Sequence, residues 1–338
     1  MKDSVGIGII GLGGISIVHE AGYQSDSRAM IVAMCDTDLE LAKSKAKLYD
    51  AKSYTDFNDL IKDPEVDIVD ITLPHKLHYK VAKAAIENGK NVIVEKPMTM
   101  TYKEAEALIE ISKEKKVKFT VAENTRFVKL YRAVEDMLKE NRIGEIWQVR
   151  TLIAGSEVER LSDPNNWIRK KERGGGIIID AGVHTFYLFR WLFGGVKSIR
   201  AFLWNRIKGN DVEDNAIMLG TLKNGAQFEA QLSDTAQSPW TERLEIYGSK
   251  GVIIGDQLSD PPLKIYNGPM DDEGQAISGI EYNPAGWKAI SIMDEVKDFV
   301  GVVIEDRVSC VKPEDAAYAV KVAELAYKNS SYLSEIDD

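Results

Sequence analysis

Between residues 5 and 122, short β-branched runs alternate with helical stretches, and this alternation constrains the fold more than any other feature of the chain. The runs are Val5 to Ile10, Met30 to Cys35, Val66 to Thr72, Asn91 to Glu95 and Val117 to Ala122. Segments such as Ile68-Val69-Asp70-Ile71 and Val92-Ile93-Val94 are nearly continuous in apolar character. Strands buried on both faces, in a parallel sheet covered by helices, read this way. The expected fold class is α/β, with an N-terminal doubly wound Rossmann domain over residues 1–123.

The remainder reads differently. Strand candidates follow one another from about 145 to 160 and from 196 to 267, broken by turns such as Lys223-Asn224-Gly225, so hairpins replace crossovers. Residues 124–338 are expected to form an α+β domain with a large, mostly antiparallel sheet and helices near 128–140, 177–193 and 289–304. A last helix over 313–332, opened by Lys312-Pro313-Glu314-Asp315, is expected to pack back on the first domain. The stretch 256–288, with Asp260-Pro261-Pro262 and several glycines, is the least regular and is expected to be a mobile loop.

Bulk properties exclude several classes. A chain of 338 residues exceeds one ordinary hydrophobic core, and 44% hydrophobic with 28% charged residues describes a soluble globular protein. A net charge of -10 without a basic tract argues against a nucleic-acid partner. No run approaches the roughly 20 apolar residues of a membrane span. The first apolar run comes too early and is too short for a signal peptide, so a cytoplasmic location is expected. Cys35 and Cys310 form no CxxC pair, which fits a reduced compartment, and no metal site is expected.

Directly after the first run comes Gly11-Leu12-Gly13-Gly14-Ile15-Ser16, with Ser16 where glycine or alanine is usual in a dinucleotide fingerprint. Gly11 allows a tight turn, Gly13 lets the backbone approach a pyrophosphate, and the following helix offers unpaired N–H groups. Asp36 ends the second run; a carboxylate there accepts from ribose hydroxyls and repels a 2′-phosphate, favouring NAD over NADP. Lys43 or Lys45 reaching the ribose would weaken that preference. Cofactor contacts are expected at Gly11, Gly13, Gly14, Ile15, Asp36 and Thr37.

Two further segments carry chemistry. Val94-Glu95-Lys96-Pro97 sets a lysine at the carboxyl edge of the sheet, where open α/β folds bind ligands, and Pro97 restricts its backbone or follows a cis peptide. Downstream of Gly174-Gly175-Gly176, the residues Asp180, His184, Tyr187 and Trp191 fall at i, i+4, i+7 and i+11 of a helix and share a face. From spacing alone, a helix-capping Asp180 with His184 and Tyr187 as satisfied core residues is an equal reading.

Together the glycine fingerprint, Glu-Lys-Pro and Asp-x-Gly-x-His resemble the Gfo/Idh/MocA family, named for glucose-fructose oxidoreductase, inositol dehydrogenase and a rhizopine-catabolism protein. Thr72-Leu73-Pro74 with His78, Asn124 and Arg126, and Trp167 with Arg169 match as well, although His75 stands where the family usually has asparagine. The resemblance implies that Lys96, Asp180 and His184 are catalytic. It adds Thr72, Leu73, His78, Glu95 and Lys96 to the cofactor contacts, and puts Asn124, Arg126, Trp167 and Tyr187 with the catalytic three at the substrate. Tyr187 departs from the aspartate of many sugar- and cyclitol-acting members.

The implied activity is an NAD(P)-dependent dehydrogenase acting on a secondary hydroxyl of a sugar, cyclitol or related small polyol. His184 is the candidate base and Lys96 the stabilising cation, with the two able to exchange roles. Alternatives are a redox-neutral, NAD-dependent glycosidase and a non-catalytic NAD-binding sensor or repressor. The family's habit of associating through the open face of the second sheet implies a homodimer or homotetramer.

Overall fold

Every residue of strand β1 (Val5–Ile10) is buried, as its continuous apolar sequence requires of a central parallel strand. A computed structural model describes residues 3–280, 283 and 286–332 of the chain. It resolves into two units, one comprising residues up to Phe127 with Lys288–Val320, the other Val128–Trp287 with the residues from Lys321 on.

In the first unit, β1 is followed by α1 (Gly14–Gln24), β2 (Ala29–Cys35), α2 (Leu39–Lys47), β3 (Lys52–Tyr54), α3 (Phe57–Lys62), β4 (Ile68–Ile71), α4 (His78–Glu87), β5 (Asn91–Glu95), α5 (Tyr102–Lys115) and β6 (Phe119–Ala122). The six strands are ordered β3-β2-β1-β4-β5-β6 and all pairs are parallel. This is the doubly wound arrangement, and its strand order reverses at β1/β4, where such folds bind nucleotides. Strand β3, absent from the sequence reading, is a three-residue edge strand of sequence Lys-Ser-Tyr that carries no apolar run.

The second unit holds α6 (Lys129–Lys139), β7 (Ile146–Ala154), α7 (Val158–Ser162), α8 (Val183–Phe193), β8 (Val196–Trp204), β9 (Asn215–Leu222), β10 (Gln227–Ser233), β11 (Thr241–Gly248), β12 (Val252–Asp256), β13 (Leu263–Tyr266) and β14 (Gln275–Ala276). Helices α9 (Trp287–Ile304) and α10 (Pro313–Lys328) follow, and then β15 (Ser330–Tyr332). The nine-stranded sheet runs β14-β13-β12-β11-β7-β10-β9-β8-β15, antiparallel except for the pairs β7–β10 and β8–β15.

Three expectations are corrected. A single division after residue 123 is replaced by an interleaved one, because Val296, Phe299 and Val300 of α9 are fully buried in one core with Ile7, Tyr23 and Met34 of the first unit. Burying side chains of this size stabilises by about 1.5–3 kcal/mol each. The last helix, whose residues up to Val320 group with the first unit, ends at Lys328 rather than at 332, and the chain then adds β15 to the second sheet. The stretch 256–288 carries β13 and β14 rather than being wholly irregular; its residues 281, 282, 284 and 285 lie outside the described residues. No helix among the described residues is long and apolar enough to cross a membrane.

Candidate active site

The turn between β1 and α1 has the geometry that its glycines predict. Gly11 adopts φ +91, and a Cβ there would meet the Thr72 carbonyl oxygen at 2.7 Å, so only glycine fits without strain. Gly13 and Gly14 are exposed, and a Cβ on either would meet nothing within 4 Å. That open space lies at the amino end of α1, where unpaired N–H groups and the helix dipole favour an anion. Ser16 is fully buried, its hydroxyl 2.8 Å from the Gly13 carbonyl oxygen and 3.0 Å from Glu20 Oε1, so the unusual residue is accommodated as a donor to its own turn.

Asp36 sits half-buried at the end of β2. Its Oδ2 accepts from the Leu12 N–H at 2.9 Å and its Oδ1 from the Asp38 N–H at 3.0 Å, which aims the carboxylate at the glycine turn beside the exposed Thr37. Neither nearby lysine competes there: Lys43 pairs with Glu40 at 3.3 Å, and Lys45 with the buried Glu20 at 2.8 Å. The Thr72 hydroxyl donates to the Gly11 carbonyl oxygen at 2.5 Å, joining the end of β4 to the same turn. Leu73 and Ile15 are half-buried beside it.

Two residues expected at the cofactor face inward instead. His78 is fully buried, with Nδ1 2.7 Å from the Pro97 carbonyl oxygen and Nε2 2.7 Å from that of Leu73. Burial holds its pKa below the ordinary histidine value against the pull of both carbonyls, so a neutral ring donates to one of them at a time. Its service to the site is to tie the loop after β4 to the loop after β5. Glu95 Oε1 lies 3.1 Å from Nε2 of the buried His19, and its Oε2 accepts from the Lys96 N–H at 3.0 Å. Lys96 itself is half-buried at the carboxyl end of β5, followed by a cis peptide to Pro97. In the same unit Arg126 is half-buried on the turn Asn124–Phe127, where Asn124 is buried and donates from Nδ2 to Ser291 Oγ at 2.9 Å.

In the second unit a wide π-helical turn, Ile178–Gly182, precedes α8. Asp180 lies within that turn, so it is not related to His184 by regular i, i+4 spacing; only His184, Tyr187 and Trp191 keep the α-helical register. Asp180 is half-buried, His184 is 7% exposed and Tyr187 2%. Tyr187 is thus enclosed, with less of its surface exposed than His184. Trp191 donates to Glu135 Oε1 at 2.8 Å, and Trp167 stands half-buried on the turn Trp167–Arg169, whose Arg169 donates to Asn210 Oδ1 at 2.6 Å.

Sequence reasoning missed the groups that hold this turn. Glu213 Oε1 accepts from the Ile178 N–H at 3.1 Å and from the Tyr327 hydroxyl at 2.8 Å, and a Cβ on Gly176, at φ +114, would come within 2.7 Å of the same oxygen. Burial raises the pKa of Glu213 above the usual carboxylate range. The triple glycine is the signal of this close approach, but nothing local names its partners.

Residues 5–123 match a family model described as an oxidoreductase family with an NAD-binding Rossmann fold, and residues 131–254 match the Gfo/Idh/MocA C-terminal domain. The chain belongs to the Gfo/Idh/MocA oxidoreductase family. An uncharacterized oxidoreductase of Synechocystis sp. is 31% identical to it over 293 residues, covering 80% of this chain and 78% of that one. Myo-inositol 2-dehydrogenase of Thermotoga maritima is 27% identical over 330 residues, covering 96% and 95%. A levoglucosan dehydrogenase solved with NADH and levoglucosan has the same fold, with a TM-score of 0.85 at 22% identity over 96% of this chain and 97% of that one. As a Gfo/Idh/MocA member the chain is an NAD-dependent oxidoreductase, and the open glycine turn, the aimed Asp36 and the engaged lysines fit NAD.

Proposed function

We propose that this oxidoreductase removes hydride from a secondary hydroxyl-bearing carbon of a sugar, cyclitol or related small polyol. The observation that carries this reading is Lys96 at the carboxyl end of β5, its backbone held by Glu95, in the unit that also carries the open glycine turn. The inositol and levoglucosan dehydrogenases among its relatives, at 27% and 28% identity, support the substrate class. Bound NAD supplies the hydride acceptor, C4 of its nicotinamide.

The chain's own residues divide the remaining work. His184 takes the hydroxyl proton as hydride leaves the carbon, yielding a ketone, and the Lys96 ammonium stabilises the developing alkoxide. Asp180 orients the hydroxyl or the imidazole, while Arg126 and Trp167 contact the substrate. Asn124 contributes through its bond to Ser291. Self-association through the open face of the second sheet, where Trp147 is 59% and Leu219 45% exposed, completes the proposal.

The test is absorbance at the reduced-nicotinamide band with purified protein, NAD and a panel of inositols, sugars and anhydrosugars, run in parallel on Lys96→Ala. A rise with one class in the wild type, lost in a variant that still binds NADH, is the expected result. Wild-type turnover in Lys96→Ala, or glycoside cleavage without net reduction of NAD, overturns it.

A further inference from the structure

Around the buried His19 the first unit gathers more negative charge than its hydrogen bonds satisfy. Nδ1 of His19 lies 2.8 Å from Asp70 Oδ2, which also accepts from the Tyr23 hydroxyl at 2.9 Å. On the other side of the ring, Nε2 lies 3.1 Å from Glu95 Oε1. Glu295 of α9 completes the group: one ligand atom from each of His19, Glu95 and Glu295 falls within 4.8 Å of the others. His19, Asp70 and Tyr23 are fully buried, and Glu295 is 3% exposed.

An acidic cluster alone means little, but Glu295 adds an independent observation. Both of its carboxylate oxygens are buried without any hydrogen-bond partner. An unpaired buried carboxylate is costly, and coordination to a cation is one of the few ways to relieve it. The ring is prepared for the same role, since a carboxylate on Nδ1 sets the tautomer that leaves Nε2 as a ligand, as in carboxylate–histidine–metal groups.

We propose that His19 Nε2, Glu95 Oε1 and the Glu295 carboxylate form a binding site for a divalent transition-metal ion of the zinc class. Ligands at about 2.0–2.2 Å from such an ion stand roughly 3.4 Å apart in a tetrahedron, so modest side-chain movement closes the set, with Glu295 supplying its second oxygen at the fourth position. The ion takes the place of a proton on Nε2, and its two positive charges offset those of Glu95 and Glu295. Its effect is to pin α1, which opens at the glycine turn, to β5, which ends before Lys96, and to α9. The ligands come from positions 19, 95 and 295, so no compact motif announces them. The site is independent of the substrate proposed above.

The test uses the full-length protein, stripped with a chelator and titrated with Zn2+ or with Co2+ as a visible-absorbing probe. The expected result is uptake of about one ion per chain, a ligand-field band typical of low-coordinate nitrogen and oxygen ligation, and a higher unfolding temperature. Glu295→Gln keeps the side-chain shape and is expected to weaken uptake at least tenfold, with His19→Gln as the second variant. No stoichiometric uptake by the wild type, or uptake unchanged in Glu295→Gln, overturns the proposal. Neither result depends on which polyol is turned over, so failure here is distinguishable from failure of the dehydrogenase reading.

Discussion

The backbone N–H of Leu12 donates to Asp36 Oδ2 at 2.9 Å, so the residue directly after β2 also braces the glycine turn that follows β1. Hydrogen bonds to a charged group are worth about 1.5–3 kcal/mol. Asp36→Ala is therefore expected to weaken NADH binding by roughly tenfold or more and to narrow the gap between NADH and NADPH. Fluorescence titration with both nucleotides measures this; an unchanged preference would show that Asp36 does not select the cofactor.

The glycines of the turn separate by mechanism. Gly11→Ala puts a Cβ at φ +91 and 2.7 Å from a carbonyl oxygen, a backbone cost of about 1–2 kcal/mol before the clash. It is expected to lower both thermal stability and NADH affinity. Gly13→Ala and Gly14→Ala meet open space, so stability should stay within about 0.5 kcal/mol while NADH affinity falls. Differential scanning calorimetry beside nucleotide titration tests the contrast.

Glu213 holds the turn that carries Asp180, through Ile178 and Tyr327. Tyr327→Phe is expected to destabilise by about 1 kcal/mol and Glu213→Ala by about 1–3 kcal/mol, since the latter strands a buried N–H and a buried hydroxyl. If Asp180 and His184 act on the substrate, Glu213→Ala also lowers kcat with NADH affinity unchanged. Steady-state kinetics with nucleotide titration reads that split.

Stability in acid should depend on Asp63. Burial opposes its ionisation, but the Glu65 N–H at 3.0 Å, the Tyr54 hydroxyl at 2.8 Å and Lys52 at 3.1 Å outweigh it and hold its pKa below the ordinary aspartate value. A depressed folded-state pKa contributes stability that is present above the unfolded value and lost as pH falls through the folded one. The loss is thus expected from about pH 4 downward. Asp63→Asn should be less stable at neutral pH and show a flatter acid limb in urea midpoints measured against pH.

Much of the first unit was legible because its signals are local. Continuous apolar runs announce buried parallel strands, and Gly11, Asp36 and Lys96 stand at strand ends where the chain's own order puts them. The edge strand at Lys52–Tyr54 escaped because three half-polar residues carry no periodicity. In the second unit the helix carrying His184 was readable from its spacing, but the wide turn at Asp180 was not, since nothing near it in sequence distinguishes a π turn from an α turn.

By itself, then, the sequence determined the class of fold and the nucleotide turn, and it offered Lys96, Asp180 and His184 as candidates for the chemistry. Only the tertiary structure decided that α9 belongs to the first core, that His78 and Glu95 look inward, that Glu213 and Tyr327 meet at Gly176, and that His19, Glu95 and Glu295 converge. The physical reason is separation along the chain. Periodicity and turn chemistry act over a few residues, whereas these contacts join side chains many residues apart that meet only once the sheets have assembled.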